Sequence, residues 1–301
     1  MKKHLLTLFD LDPKEVDLLL KKAKEFKSLR GKKNHPKPLV GKTLALIFEK
    51  SSTRTRVSFE VAMLELGGNS IYLSGQESQL GRGESYQDTA RVLSRYVHGI
   101  VVRTYSQKNL EELAHASTVP VINGLSDLFH PVQILADLLT IVEVKKNYQK
   151  LKIAYVGDGN NLANSWIQAS ILLGFDLSVA CPKNYTPSGA LLTQIGHHPQ
   201  ISILSDPIQA VKSADVIYTD SWLSMGQKED PKKKELFVPY QINQKLLNHA
   251  TSNAMVLHCL PAHRGEEISS EVMEGPQSYV FEQAENRLHM QKAILTTFLK
   301  K

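Results

Sequence analysis

Short apolar runs alternate with helix-length segments along most of this chain of 301 residues, and that alternation constrains the fold more than any single motif does. A first helix opens at Asp12-Pro13, carries Val16, Leu19, Leu20, Ala23 and Phe26 on one face, and stops at Gly31. The alternation then begins with the run Thr43 to Phe48, followed by a helix from Thr53 to Leu66 that Gly67-Gly68 ends. A strand at Ser70 to Leu73, a helix at Ser85 to Tyr96, and strands at Ile100 to Arg103 and Pro120 to Ile122 continue it. Strands joined by helical crossovers return to the same end of the sheet, so the pattern predicts mainly parallel pairing.

The segment Pro131 to Lys146, with Val132, Leu135, Ala136, Leu139 and Val142 at helical spacing, is long enough to join two domains. After it the grammar restarts: strand Lys152 to Val156, helix Leu162 to Leu173, then strands Leu177 to Ala180, Ile201 to Leu204, Val216 to Thr219 and Met255 to His258. The closing stretch Glu285 to Leu299 reads as an amphipathic helix, with nothing local to say which domain it packs on. The fold expected is α/β: two doubly wound parallel-sheet domains facing each other across an active-site cleft, residues 1–147 and 148–284, with a closing helix in 285–301. A chain of this length, 42% apolar, suffices for two cores.

The net charge of +6 points to acidic or phosphorylated partners. The lysines are scattered, as at Lys21, Lys22, Lys24 and Lys27 or in Lys232-Lys233-Lys234, and read as solvated faces, which argues against a nucleic-acid partner. The opening MKKHLLTLFD has too few apolar residues for a signal-peptide core, and no run reaches membrane-spanning length. Cys181 and Cys259 are then expected as free thiols in a reducing cytoplasm, neither with the partners of a zinc site.

Each unusual polar cluster falls just after a strand, where ligands bind in parallel α/β sheets. In Phe48-Glu49-Lys50-Ser51-Ser52-Thr53-Arg54-Thr55-Arg56, three hydroxyls and two arginines fall within the five positions Ser52 to Arg56, at the start of a helix. A plain cap needs one hydroxyl; a phosphate dianion wants several N–H donors and a fork-shaped cation, which this stretch supplies. His130-Pro131-Val132-Gln133 opens the joining helix, so the helix dipole keeps His130 a neutral donor suited to polarising a carbonyl, although a structural His-Pro turn reads the same way. Gly157-Asp158-Gly159-Asn160-Asn161-Leu162 lacks the third glycine of a dinucleotide fingerprint, and an asparagine-lined turn facing a zwitterionic amino acid fits it better. The stretch Ser221 to Pro239 reads as a long polar loop of the kind that forms lids, with Asp220 at its root either a functional acid or a turn residue. His258-Cys259-Leu260-Pro261-Ala262-His263-Arg264 puts a thiol and two imidazoles at a strand end.

Together with Asp220-Ser221-Trp222-Leu223-Ser224-Met225-Gly226 and the following Gly265, these stretches resemble the aspartate/ornithine carbamoyltransferase family, and within it the enzymes that use ornithine, from about Leu5 to Leu299. The resemblance implies transfer of the carbamoyl group from carbamoyl phosphate to the side-chain amine of L-ornithine, giving L-citrulline and phosphate in arginine biosynthesis, without cofactor or metal. It assigns carbamoyl phosphate to the first domain, onto which the closing helix packs back, and ornithine to the second. Ser52, Thr53, Arg54 and Thr55 would hold the phosphate, Arg103 would neutralise phosphate and carbonyl oxygen, and His130 and Gln133 would hold the carbamoyl group. Gln79 would reach the site of an adjacent subunit, which makes the implied assembly a homotrimer. Asn161, Asp220, Ser224 and Met225 match the ornithine-binding positions, with the Ser224-Met225 segment closing over the substrate; Cys259, Leu260 and Arg287 complete the carbamoyl end. Asp220 and Cys259 are then the candidates to guide the amine's proton. Competing expectations are another amine (aspartate, putrescine or acetylornithine), the catabolic direction, a non-catalytic relative, and an NAD-dependent oxidoreductase.

Overall fold

The computed structural model describes residues 3–75, 79–223 and 230–300. The chain divides into two compact units, Met1–Leu139 with Glu285–Lys301, and Thr140–Ala284. The first contains α1 (Pro13–Leu29), β1 (Thr43–Phe48), α2 (Thr53–Glu65), β2 (Asn69–Ser74), α3 (Tyr86–Leu93), β3 (Gly99–Arg103), α4 (Gln107–Ala116) and β4 (Val121–Leu125). Within α5 (Pro131–Lys145) the chain enters the second unit. There follow β5 (Lys152–Val156), α6 (Asn161–Leu173), β6 (Asp176–Ala180), α7 (Gly189–Ile195), β7 (Ile201–Leu204), α8 (Pro207–Val211), β8 (Val216–Thr219), α9 (Pro231–Phe237), α10 (Gln244–Leu247), β9 (Met255–His258) and α11 (Ser270–Met273). The chain returns to the first unit within α12 (Val280–Phe298).

Both sheets are parallel throughout, as the alternation predicts, with strand orders β2-β1-β3-β4 and β7-β6-β5-β8-β9. The order reverses direction between β1 and β3 in the first sheet and between β5 and β8 in the second. Crossovers on either side of such a point leave by opposite faces, so the turns at the carboxyl ends of those strands splay apart and leave room for a ligand. Every polar cluster singled out above follows one of these four strands, except that of His130, which follows β4 beside β3, and that of β9, which lies beside β8.

The amphipathic faces are buried as their spacing requires: Val16, Leu19, Leu20, Ala23 and Phe26 of α1 all face the core. In the first unit Ile47, Ile100, Val102, Leu110, Leu113 and Val121 pack together; in the second, Ala154, Val156, Ile217, Val256, Ile268 and Val280 do so. Four expectations are corrected. The polar stretch after Trp222 is not loop to Pro239, because Asp230 caps and Pro231 starts α9. Lys233 of that helix is not on a solvated face but is buried against Asp158. The closing helix begins at Val280, and the helix opened by Ser85 ends at Leu93.

Candidate active site

In the first unit, Ser52 caps α2 by accepting from the Thr55 N–H at 3.3 Å. The first-turn amides of Thr53 and Arg54 have no intrahelical partner and stand at the positive end of the helix. Thr55 Oγ1 accepts from Ser52 Oγ at 3.0 Å and from Arg287 Nη2 at 2.7 Å. Arg287 Nη1 also donates to Gln133 Oε1, and Gln133 Nε2 donates to Asp137 Oδ1 at 2.7 Å. One buried guanidinium from α12 thereby ties the N-terminus of α2 to the first turn of α5. An amide oxygen has two lone pairs, so Gln133 keeps acceptor capacity beside Arg287.

Arg103 ends β3 opposite Phe48 and is buried. The register to β4 slips there, from Val102↔Asn123 to Arg103↔Leu125, leaving Gly124 as the extra residue. A Cβ on Gly124 would come within 3.0 Å of Val101 Cγ1 and 3.2 Å of the Val102 carbonyl oxygen, so the bulge that turns the end of this strand needs glycine. His130 caps α5, its carbonyl accepting from the N–H groups of Gln133 and Ile134 at 3.2 and 3.4 Å. Burial, then the positive charges of Arg287 and Arg103, hold its imidazole well below the ordinary histidine range, so it is neutral at pH 7.

Arg54 and Thr53 are exposed on the outer rim of the α2 turn. Arg56, the second arginine of the motif, is engaged elsewhere, pairing with Glu60 at 3.0 Å and holding its guanidinium 3.7 Å from the centre of the Tyr72 ring. Gln79 is exposed at the start of a short 3-10 turn, Gln79–Arg82, and no hydrogen bond joins its side chain to the other candidates among the described residues.

In the second unit, Asp220 follows β8, and both its oxygens are engaged. Cys259 Sγ donates to Oδ1 at 3.0 Å and Asn160 Nδ2 donates to Oδ2 at 2.7 Å. Asn160 is the cap of α6, its Oδ1 accepting from the N–H groups of Leu162 and Ala163; Asn161 is the first helical residue. The Tyr155 hydroxyl lies 2.8 Å from the Asp158 carbonyl oxygen and 3.1 Å from Asn160 Oδ1. Its pKa is well above the usual phenol value through burial and the Asp220 and Asp158 charges, so it stays a donor. Asp158 accepts from Lys233 Nζ at 2.7 Å, both side chains being buried. Leu260, half-buried, has φ +60, in the left-handed region. Ser224 and Met225 lie outside the described residues.

Donor atoms of Asp220, His258 and Cys259 lie within 4.8 Å of one another, as do those of His263, Glu266 and Glu267. Neither set is poised for a metal. Both nitrogens of His258 are already hydrogen-bonded, to the Leu260 N–H and to Glu267, and Glu266 is paired with Lys234 at 2.9 Å.

The turns that gather these groups match known proteins along nearly the whole chain. Residues 3–143 match the model for the aspartate/ornithine carbamoyltransferase carbamoyl-P binding domain, and residues 149–298 that for the Asp/Orn binding domain. The chain belongs to the aspartate/ornithine carbamoyltransferase family. It is 52% identical to the ornithine carbamoyltransferase of Syntrophus aciditrophicus, over 98% of this chain and 99% of that one. Its fold superposes on the ornithine carbamoyltransferase from Pyrococcus furiosus with a TM-score of 0.91 at 50% identity, covering 97% of this chain and 96% of that one. The anabolic ornithine carbamoyltransferase from Campylobacter jejuni also gives 0.91, at 42% identity over 99% of both chains.

Within this carbamoyltransferase chain, sequence reasoning passed over four groups: Asn160 as the direct partner of Asp220, Tyr155 behind it, the Asp158–Lys233 pair, and Glu267 behind His258. Asn160 carried a signal, since a cap residue at a switch point is well placed to reach the next strand's end. The Asp158–Lys233 pair joins residues 75 positions apart, and the partners of Tyr155 and Glu267, though near in sequence, lie across strand-end turns that no periodic pattern announces.

Proposed function

We propose that this chain transfers the carbamoyl group of carbamoyl phosphate to the side-chain amine of L-ornithine, forming L-citrulline and phosphate. The observation that carries the reading is the array at the first switch point. There a helix N-terminus, Arg103, Arg287 and a neutral His130 gather donors of the kind that a phosphate and a polarised carbonyl require. Ser52, Thr53, Arg54 and Thr55 hold the phosphate, with Arg103 between it and the carbonyl oxygen. His130, Gln133, Arg287, Cys259 and Leu260 address the carbamoyl group. Asn161, Asp220, Ser224 and Met225 take ornithine. The unprotonated amine attacks the carbamoyl carbon, the carbonyl electrons move onto oxygen beside Thr55, Arg103 and His130, and the C–O bond to phosphate then breaks. The amine gives up a proton on the way, and the Asp220–Cys259 pair is placed to steer it.

Ornithine is favoured over aspartate because a carboxylate, Asp220, stands at the second switch point, where a second substrate carboxylate would want a cation. Putrescine lacks the carboxylate that Asn161 would meet. Gln79 then serves the site of a neighbouring subunit in a homotrimer; its exposure supports this, as do the exposed apolar side chains of Val57 and Leu64 on α2. The setting proposed is cytoplasmic arginine biosynthesis, supported by the two free thiols, Cys181 and Cys259. No helix among the described residues is long and apolar enough to cross a membrane. The test is citrulline and phosphate formation from carbamoyl phosphate with ornithine, acetylornithine, putrescine and aspartate in parallel. Turnover with ornithine at least a hundredfold above the others is expected, and preference for another amine would overturn the reading.

A further inference from the structure

The turn that bears Cys259 is held from behind by a residue that the proposed reaction does not use. Glu267 is fully buried, and its Oε1 accepts both from His258 Nε2 at 3.0 Å and from the backbone N–H of His263 at 2.5 Å. His258, equally buried, accepts at Nδ1 from the backbone N–H of Leu260 at 2.9 Å. An amide N–H can only donate, so the lone pair is on Nδ1 and the ring proton is on Nε2, directed at Glu267. The backbone N–H of His258 is fixed in turn by Gln283 Oε1 at 2.8 Å. One carboxylate oxygen thereby anchors both ends of the turn His258 to His263.

What the anchor holds is a costly conformation. Leu260 has φ +60, a region that costs a residue with a Cβ on the order of 1–2 kcal/mol and persists only where surroundings impose it. The Leu260 N–H to His258 bond is such an imposition, and it fixes the peptide that follows Cys259, whose Sγ lies 3.0 Å from Asp220. Burial alone would raise the Glu267 pKa, but the donors from His258 and His263 outweigh it and hold the group below the ordinary glutamate value. The anchor is therefore an ionised carboxylate, whose hydrogen bonds are roughly twice as strong as neutral ones.

We infer that Glu267, acting through the Nε2–H tautomer of His258, is a positioning residue for the Cys259–Leu260 turn, setting the direction in which thiol and backbone meet the substrates. This rests on the reading of Cys259 and Leu260 as substrate contacts.

The two contacts of His258 can be removed one at a time. In His258→Asn an amide oxygen replaces Nδ1 and keeps the Leu260 bond while losing Glu267; in His258→Gln an amide nitrogen replaces Nε2 and keeps Glu267 while losing Leu260. A relay needs both, so each variant should lower kcat/KM for ornithine at least tenfold, mostly in kcat, with carbamoyl phosphate Kd within twofold of wild type. The rate of Cys259 alkylation by iodoacetamide should shift at least threefold in both. Cys181 does not confuse that readout, being buried, with burial pushing its thiol up to about 12. Glu267→Gln keeps an acceptor of the same shape but without charge, and should lose about threefold in turnover. If the His258 variants do not fold, this isosteric change carries the test with the same readouts. Folded variants with wild-type kinetics and wild-type alkylation would overturn the inference and leave Glu267 a packing group. Because alkylation needs no substrate, a wild-type chain that makes no citrulline but whose thiol reactivity depends on His258 would sink the functional reading and keep the relay.

Discussion

At the first unit's switch point the polar groups are mostly donors and cations: the amides of the α2 turn, Arg54 on the rim, and Arg103 and Arg287 beneath. At the second unit's they are engaged with one another. Asp220 has both oxygens taken, Asn160 joins Asp220 to the α6 cap, and Asp158 is neutralised by Lys233. Two sheets with the same winding have thus put opposite chemistries at the same topological place. The first, braced by Arg287, gathers donors and cations of the kind an anion requires, whereas the second has its carboxylates engaged by internal bonds. Damage to the second should therefore appear as lost stability, and damage to the first as lost affinity.

The largest effect expected is from Lys233→Met, which leaves the Asp158 carboxylate buried without its partner and should cost about 3 kcal/mol of stability at pH 7. Trp166 and Trp222, the chain's two tryptophans, both lie in the second unit, so fluorescence-detected urea unfolding reports on it. Burial raises the Asp158 pKa even with Lys233 in place. A folded pKa above the unfolded one means stability is lost as pH rises through it, so the variant's deficit should shrink on moving from pH 7 towards pH 5. A deficit under about 1 kcal/mol would erase the contrast between the units.

Next in size is Arg54→Ala, expected to weaken carbamoyl phosphate binding by at least ~2 kcal/mol in calorimetry while leaving the melting temperature within a degree or so. An unchanged dissociation constant would remove Arg54 from the phosphate site. Cys259→Ser sharpens the comparison from the other side, because a hydroxyl still donates to Asp220 and should leave stability intact. Its kcat/KM for ornithine should fall about tenfold with carbamoyl phosphate affinity nearly unchanged, since a thiol can ionise where a hydroxyl stays neutral. Wild-type turnover should climb from neutral to alkaline pH as more amine loses its proton. Equal ornithine kinetics in the variant would leave Asp220 alone to steer the proton.

The smallest effect concerns His130. Its folded pKa lies below the unfolded value, so the unfolded chain binds more protons and stability is lost as pH falls through the unfolded value near 6.5. His130→Gln should flatten that slope by at most about 1.4 kcal/mol per pH unit, the effect of one proton. His4, held to about 4 mainly by burial, stays as background in both proteins. A slope unaltered by the substitution would mean that the imidazole is not held neutral.

The parallel sheets, the helix faces and the strand-end placement of the polar clusters were legible because they depend on short-range periodicity. Part of what escaped depends on distance along the chain. Lys233 sits in a lysine run whose local pattern reads as solvent-facing, and only an acid 75 residues away reverses that. α9 is short and lacks an apolar stripe, so Asp230-Pro231 was its one signal. α4 carried more, with Ser106 as cap and Leu110, Leu113 and Ala114 at helical spacing, yet it filled a gap between two strands already assigned. Of the candidate residues, the structure joins Ser52, Thr55, Gln133 and Arg287 in one unit and Asp220 and Cys259 in the other. It leaves Gln79 without such a link among the described residues.

Arg287 bridges Thr55 and Gln133, yet in chain order it follows every residue of the second unit. Synthesis proceeds from the N-terminus at roughly 5–20 residues per second, so roughly 7 to 30 s separate the emergence of α5 from that of the guanidinium. Through that interval a nascent chain can close its first sheet but has no brace between α2 and α5. The link that joins the two helix starts therefore forms only after the whole second unit has been made.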